Sequence, residues 1–282
     1  MNIVEYAKMR KMFGGGSGGD IDGLIDRSLT EIEGNVERIG SNAFAACQSL
    51  ISAVFPKATI IDSSAFNSCK ALATVDIPKA ISIGSNAFSG CAQLVSVEFP
   101  LVQTIGMYAF QSCSMLESVS FPSVTGSTGD YVFSGLKELK SVNFPNATIV
   151  GGSTFKSCSG LTNLKFPSAT TIYNQAFQYC YGLISADFPK LTKINGQVFD
   201  SCNKLTALIL RSETQCTLGS TNTFTNTPIA KGTGYIYVPR ALIEDYKAAT
   251  NWVTFADRFR ALEDYTVDGT TTGELDESKV SL

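Results

Sequence analysis

The stretch Ile83-Gly-Ser-Asn-Ala-Phe-Ser-Gly-Cys-Ala-Gln-Leu-Val-Ser-Val-Glu-Phe-Pro100 decides the fold. Its skeleton, I-G-x-x-A-F-x-x-C-x-x-L-x-x-V-x-F-P, recurs eight times from Ile39 onward, at 22-residue intervals with one of 23. The anchor phenylalanine stands at Phe44, Phe66, Phe88, Phe110, Phe133, Phe155, Phe177 and Phe199. A cysteine follows three residues later at Cys47, Cys69, Cys91, Cys113, Cys158, Cys180 and Cys202, with Leu136 in that place in the fifth repeat. A fixed period of this length marks a solenoid, in which each unit buries its apolar face only against its neighbours.

Within a repeat, the end of L-x-x-V-x-F-P alternates apolar and polar residues (Val97, Phe99, then Pro100), which predicts a short strand with one face inward. Proline has no N–H to donate and closes the strand. Stacked strands then form a parallel sheet with a rise of about 4.8 Å per coil. A second apolar pair, such as Ala80 and Ile83 or Leu191 and Ile194, marks the return side. The A-F-x-x-C segment is expected to turn the corner as a single helical turn, since residues three apart share a helix face. The fold class is therefore an α/β repeat solenoid, most economically one elongated domain. The longer repeat, with Val124-Thr-Gly-Ser-Thr-Gly-Asp130, is expected to differ by a local bulge.

These residues resemble the BspA-like, or treponemal-type, leucine-rich repeat family, in both the A-F-x-x-C-x-x-L core and the proline after the strand. The resemblance implies a right-handed leucine-rich-repeat coil. It also implies a binding or adhesive role, not an enzymatic one. Adhesins of that family carry export signals, whereas Met1–Gly16 lacks the apolar core of a secretory signal and no stretch matches a membrane span. Expected localisation is therefore cytoplasmic or on a phage particle.

The ends depart from the period. Residues 1–19 read as a short peptide with a glycine linker, 20–38 as a half-repeat cap, and 39–210 as the eight repeats. A degenerate ninth repeat follows at 211–239, then a helical cap at 240–264 anchored by Trp252, and a polar tail at 265–282 expected to be disordered. The glycine linker, Leu24-Ile-Asp-Arg-Ser-Leu-Thr30 and Tyr237-Val-Pro…Asn-Trp252 resemble the ends of prophage-encoded leucine-rich-repeat proteins of gut Firmicutes.

Composition excludes several functions. Net charge is −3, and the segment 39–238 holds 12 Lys/Arg against 9 Asp/Glu, with no clustering of the kind that marks nucleic-acid binders. The chain has no histidine, so Ser-His-Asp and Cys-His catalysis and His-containing metal sites are excluded. No phosphate-binding or dinucleotide fingerprint is present. Neither catalytic residue, cofactor nor metal is expected. The seven ladder cysteines admit disulfides or metal binding, but their exchange with Leu136 favours buried free thiols. Cys216 lies outside the ladder and is expected to be more exposed.

Candidate contacts fall into two sets. The outward strand positions include Asp76, Glu98, Asn143, Lys165 and Asp187, a small polar face that reads equally as ordinary solvated surface. The aromatic set is Tyr108, Tyr131, Tyr173, Tyr179 and Tyr181, amphipathic side chains expected near the coil corners. Two functions follow. One is a non-enzymatic binding or adhesion module for a protein or glycan surface, with the phage-tail association that the resemblance of the ends implies. The other is an intracellular structural or assembly scaffold with no external ligand.

Overall fold

The computed structural model describes residues 28–276 and 278–279. The N-terminal peptide, the glycine linker and the first part of the half-repeat cap lie outside the described residues. Where the unbroken period suggests one elongated domain, the contacts gather into two compact units. The first runs to Val124 and includes Gly129–Asn143; the second comprises Thr125–Thr128 and everything from Phe144. The division falls in the longer repeat, where Ser127 makes an isolated bridge to Ile149 and Thr128 Oγ1 accepts a hydrogen bond from the Gly151 N–H at 3.0 Å.

In the first unit, Glu31–Glu33, Ser52–Val54 and Thr74–Asp76 pair in parallel, as do Ser96–Glu98, Ser118–Ser120 and Ser141–Asn143. The return strands Arg38–Ile39, Ile60–Ile61, Ser82–Ile83 and Thr104–Ile105 form a second parallel sheet. Equivalent residues sit opposite each other, so every side-chain column runs from coil to coil. Phe44, Phe66, Phe88, Phe110 and Phe133 form one such column, with centroids 5.0 to 5.5 Å apart and planes within 10° of parallel. This spacing is close to the inter-strand distance, so each coil adds one ring to the column. The glycine of I-G is required by close approach: a Cβ on Gly84 would lie 2.4 Å from the Ser63 backbone nitrogen, and one on Gly106 2.3 Å from that of Ser85.

The second unit repeats the plan. Asn163–Lys165, Ser185–Phe188, Ala207–Leu210, Tyr235–Val238 and Phe259–Ala261 make one parallel sheet. Ile149–Val150, Thr171–Ile172, Lys193–Ile194 and Thr217–Leu218 make the other. The rings of Phe155, Phe177, Phe199 and Phe224 stack 5.5 to 6.0 Å apart.

The corners are not helical turns. Residues two before and two after each anchor phenylalanine adopt left-handed backbone, for example Asn42 (φ 59°) and Ala46 (φ 60°), or Ser64 (φ 59°) and Ser68 (φ 62°). The alternation turns every second N–H toward the next coil: Asn42, Phe44 and Ala46 donate to Ser63 O, Ala65 O and Asn67 O at 3.1, 2.7 and 2.7 Å. Intervening residues close tight turns, as in Ala45 N to Asn42 O at 3.0 Å. A helical turn would have pointed these donors along its own axis and left the neighbouring carbonyls unpaired, which burial does not tolerate.

The same geometry accounts for the cysteines. Five ladder thiols donate to the anchor carbonyl of the preceding coil: Cys69 to Phe44 O at 3.0 Å, Cys91 to Phe66 O and Cys113 to Phe88 O at 3.2 Å, Cys180 to Phe155 O and Cys202 to Phe177 O at 3.1 Å. All eight cysteines are free and buried. That corrects the expectation for Cys216. Its N–H donates to the Tyr246 hydroxyl at 2.7 Å and its carbonyl accepts from Trp252 Nε1 at 2.6 Å, so the cap covers it.

The cap is less helical than its spacing suggests. A helix at Ile243–Ala248 and 3-10 turns at Trp252–Arg258 and Leu262–Asp264 are present, but Phe259–Ala261 adds a strand beside Tyr235–Val238. Phe259 and Ala261 are buried on either side of a half-buried Arg260, the alternation of a strand. Trp252 is 1% exposed and packs on Phe224 and Tyr246, sealing the last coil. Residues 265–276 of the tail, expected to be disordered, instead form a hairpin: Thr266 bridges Leu275, and Asp276 N donates to Tyr265 O at 2.8 Å. Its anchors, Arg211 and the cluster of Ala207, Ile209 and Tyr237, lie in the body of the second unit.

Candidate recognition surface

In the first unit the outward strand face is polar. Asp76 and Glu98 are exposed, as are Glu31 and Glu33, and Asn143 Nδ2 donates to Ser120 Oγ at 2.9 Å. Such cross-strand hydroxyl and amide contacts fit a solvated sheet. In the second unit Lys165 is exposed and Asn163 accepts from Ser185 Oγ at 2.6 Å. Asp187 is not available as a free contact. Arg211 Nε donates to both its carboxylate oxygens at 3.0 and 3.1 Å, and the two side chains are only 16% and 10% exposed. The outward positions Ala207 and Ile209 are buried with Tyr237 and Leu262, under Tyr235, Tyr265 and Leu275. The sequence shows this only as a lapse of the polar pattern in Ala207-Leu-Ile-Leu210.

The tyrosines divide into separate groups. In the first unit the half-buried Tyr108 and Tyr131 stack with centroids 5.0 Å apart. Each occupies the left-handed position two before its anchor, with φ 60° and 56°. In the second unit Tyr179 takes the left-handed position two after Phe177, with φ 62°, and its ring lies 6.1 Å from that of Tyr181. The Lys156 ammonium stands 5.6 Å above the Tyr179 ring. Tyr181 is 48% exposed. Tyr173 is also exposed, but it follows the return strand Thr171–Ile172, and among the described residues it makes no ring contact with Tyr179 or Tyr181. Of these three second-unit tyrosines, Tyr179 and Tyr181 form a pair and Tyr173 stands apart from it.

Behind Tyr179 lies a buried polar network that sequence reasoning missed. Gln178 Nε2 donates to Asp200 Oδ2 at 2.8 Å, Ser201 Oγ to Asp200 Oδ1 at 2.9 Å, and Asn226 Nδ2 to Ser201 Oγ at 3.2 Å. Gln178 Oε1 has no hydrogen-bond partner among the described residues. The only forewarning is that Gln178 and Asp200 occupy the same position, one after their anchors. No group of three or more His, Cys, Asp or Glu among the described residues is arranged to hold a metal ion, and no described helix is long and apolar enough to cross a membrane.

The repeated sequence that builds these columns and ladders matches a family of known repeats. The family described as BspA type leucine rich repeat region matches residues 27–137 and 126–234, in six copies. The chain belongs to this BspA-type family. Leucine-rich repeats of this type are often used in protein binding or adhesion and are typically non-enzymatic scaffolds. Among solved structures, the T. pallidum leucine-rich repeat protein TpLRR is 26% identical, over 55% of this chain and 78% of its own, with a TM-score of 0.51. A leucine-rich repeat protein from Bacteroides ovatus is 20% identical over 82% of each chain, with a TM-score of 0.39. A leucine-rich cell surface protein from Faecalibacterium prausnitzii is 18% identical over 62% of this chain and 76% of its own, with a TM-score of 0.31. No curated protein matches the chain.

Proposed function

We propose that the chain is a non-enzymatic recognition module whose partner is a protein surface, met through the corner of the second unit at Tyr179 and Tyr181 with Lys156 beside them. The observation that carries this reading is the half-exposed Tyr179 ring on a left-handed backbone, where the coils before and after hold Ser157 and Ser201. For an L-residue the left-handed region costs roughly 1–2 kcal/mol, a cost that core burial of the ring does not offset here. The backbone is left-handed at this position in every coil, so the departure lies in the bulky ring placed there, and that departure motivates a functional hypothesis. Tyrosine brings a rigid apolar ring with a hydroxyl and is enriched at binding hot spots. The Tyr108–Tyr131 stack offers a second surface of the same chemistry in the first unit. Display on a phage particle is compatible with this reading, as the resemblance of the ends suggests.

The test is a binding screen of the whole chain against bacterial and host surface proteins and glycans, followed by Tyr179→Asn and Tyr181→Ala. Each substitution is expected to weaken binding by at least about 1 kcal/mol, the threshold of a significant contact, while Tyr179→Asn leaves the melting temperature unchanged or raises it. Unchanged binding in both variants would refute the site. Absence of any ligand in the screen would favour the assembly scaffold.

A further inference from the structure

We propose that the outer face of the second unit's sheet carries a peptide-binding site, distinct from the tyrosine corner, that the chain's own C-terminal hairpin fills. The receptor half is built into the body of the unit. Arg211 is oriented by Asp187, which takes its Nε at 3.0 and 3.1 Å and leaves Nη1 to point elsewhere. Nη1 donates to the carbonyls of Thr271 and Gly273 at 2.8 and 2.9 Å. Beside this clamp the outward strand positions turn apolar: Ala207, Ile209 and Tyr237 are buried with Leu262, where the preceding strands carry Asn163 and Lys165 or Ser185 and Asp187. Leu275 packs on that shelf, and the Tyr265 ring meets Tyr237 edge-on at 5.0 Å.

The ligand half is held lightly. The tail's polar groups bond largely to one another: the Thr270 N–H and hydroxyl donate to Asp268 Oδ1 at 3.0 and 2.8 Å, and the Gly273 N–H donates to Thr270 Oγ1 at 3.0 Å. Val267 is 71% exposed. Because the guanidinium reads backbone carbonyls, the clamp is indifferent to side-chain identity. Recognition therefore needs only a peptide that turns two carbonyls toward Arg211 and lays one aliphatic side chain on the shelf. The partner fitting this site is a polar peptide segment of another protein with that pattern, and the tail competes with it in cis. An intramolecular competitor has a high effective concentration, so it masks the site until displaced.

The experiment uses a fluorescent synthetic peptide of residues 264–282 as probe, titrated by anisotropy into the whole chain, a chain ending at Asp264, and that shortened chain carrying Arg211→Gln. The shortened chain is expected to bind saturably. The whole chain should bind at least tenfold more weakly, and Arg211→Gln should cost at least tenfold. Circular dichroism confirms that the variants are folded. If the shortened chain is insoluble, Leu275→Asp in the whole chain replaces it: probe binding should appear, with faster amide exchange confined to residues 265–276. Lack of binding by a folded shortened or unlatched chain, equal binding by whole and shortened chains, or faster exchange spreading into Ala207–Leu210 and Tyr235–Val238 would overturn the proposal. None of these results bears on the Tyr179 and Tyr181 variants, so the two readings fail separately.

Discussion

Replacing Phe177 with alanine tests the packing of the second unit most directly. Phe177 is 0% exposed, stacked between Phe155 at 5.5 Å and Phe199 at 5.7 Å, and flanked by Phe166 and Phe188 at 6.0 and 6.3 Å. Truncating a buried phenylalanine costs about 3–5 kcal/mol, depending on how far the site collapses. Collapse is restricted here, because Phe155 N donates to Ala176 O at 2.9 Å and Phe177 N to Val198 O at 3.0 Å, which fixes the coils at their spacing. The lost ring pairs, at about 0.5–1.5 kcal/mol each, overlap with the cavity cost but push in the same direction. The upper half of the range is therefore expected. Urea titration followed by Trp252, the only tryptophan, reports on this unit. A loss below about 1 kcal/mol at unchanged m-value would show that the column does not bear the core.

Thiol labelling of the native chain is expected to leave all eight cysteines, including Cys216, largely unmodified until denaturant is added, as mass spectrometry would show; rapid modification of any one would contradict its burial. Burial pushes the Cys113 thiol from 9.0 up to about 12, and Cys91 and Cys202 are also raised, chiefly by burial. Above pH 9 the unfolded chain releases thiol protons that the folded chain retains, so stability held below that pH should fall as pH rises toward 12. A melting temperature that does not fall between pH 9 and 11 would refute the linkage.

The phenylalanine, cysteine and leucine columns were legible in the sequence because one residue type recurs at one spacing, and the coil-to-coil register follows from that. The corner conformation was not. Its left-handed positions hold Asn42, Ser64, Tyr108 and Gln175 in turn, and no single residue type marks them. Cys216 was misread because the groups covering it, Tyr246 and Trp252, lie 30 and 36 residues downstream. The strand at Phe259–Ala261 was hidden because Phe255, Phe259 and Leu262 also fit a helical face. The hairpin was hidden because Tyr265, Leu275 and the distant Arg211 are what anchor an otherwise polar segment. Of the candidate site, the tyrosines could be named. Which of them meet could not, since Tyr173 and Tyr179 lie on either side of the anchor.

The corners have a consequence for how such a stack ends. Corner N–H groups point toward later coils, as in Ser157 to Gln178 O, while N–H groups flanking the return strands point toward earlier ones, as in Tyr173 to Val150 O. The two columns of peptide dipoles therefore oppose each other, unlike the aligned dipoles of a helix. Opposed columns offset one another at the ends of such a stack, so closing it calls more for apolar cover than for countercharge. The residues that close the second unit, Trp252, Tyr246 and Phe255, are of that kind.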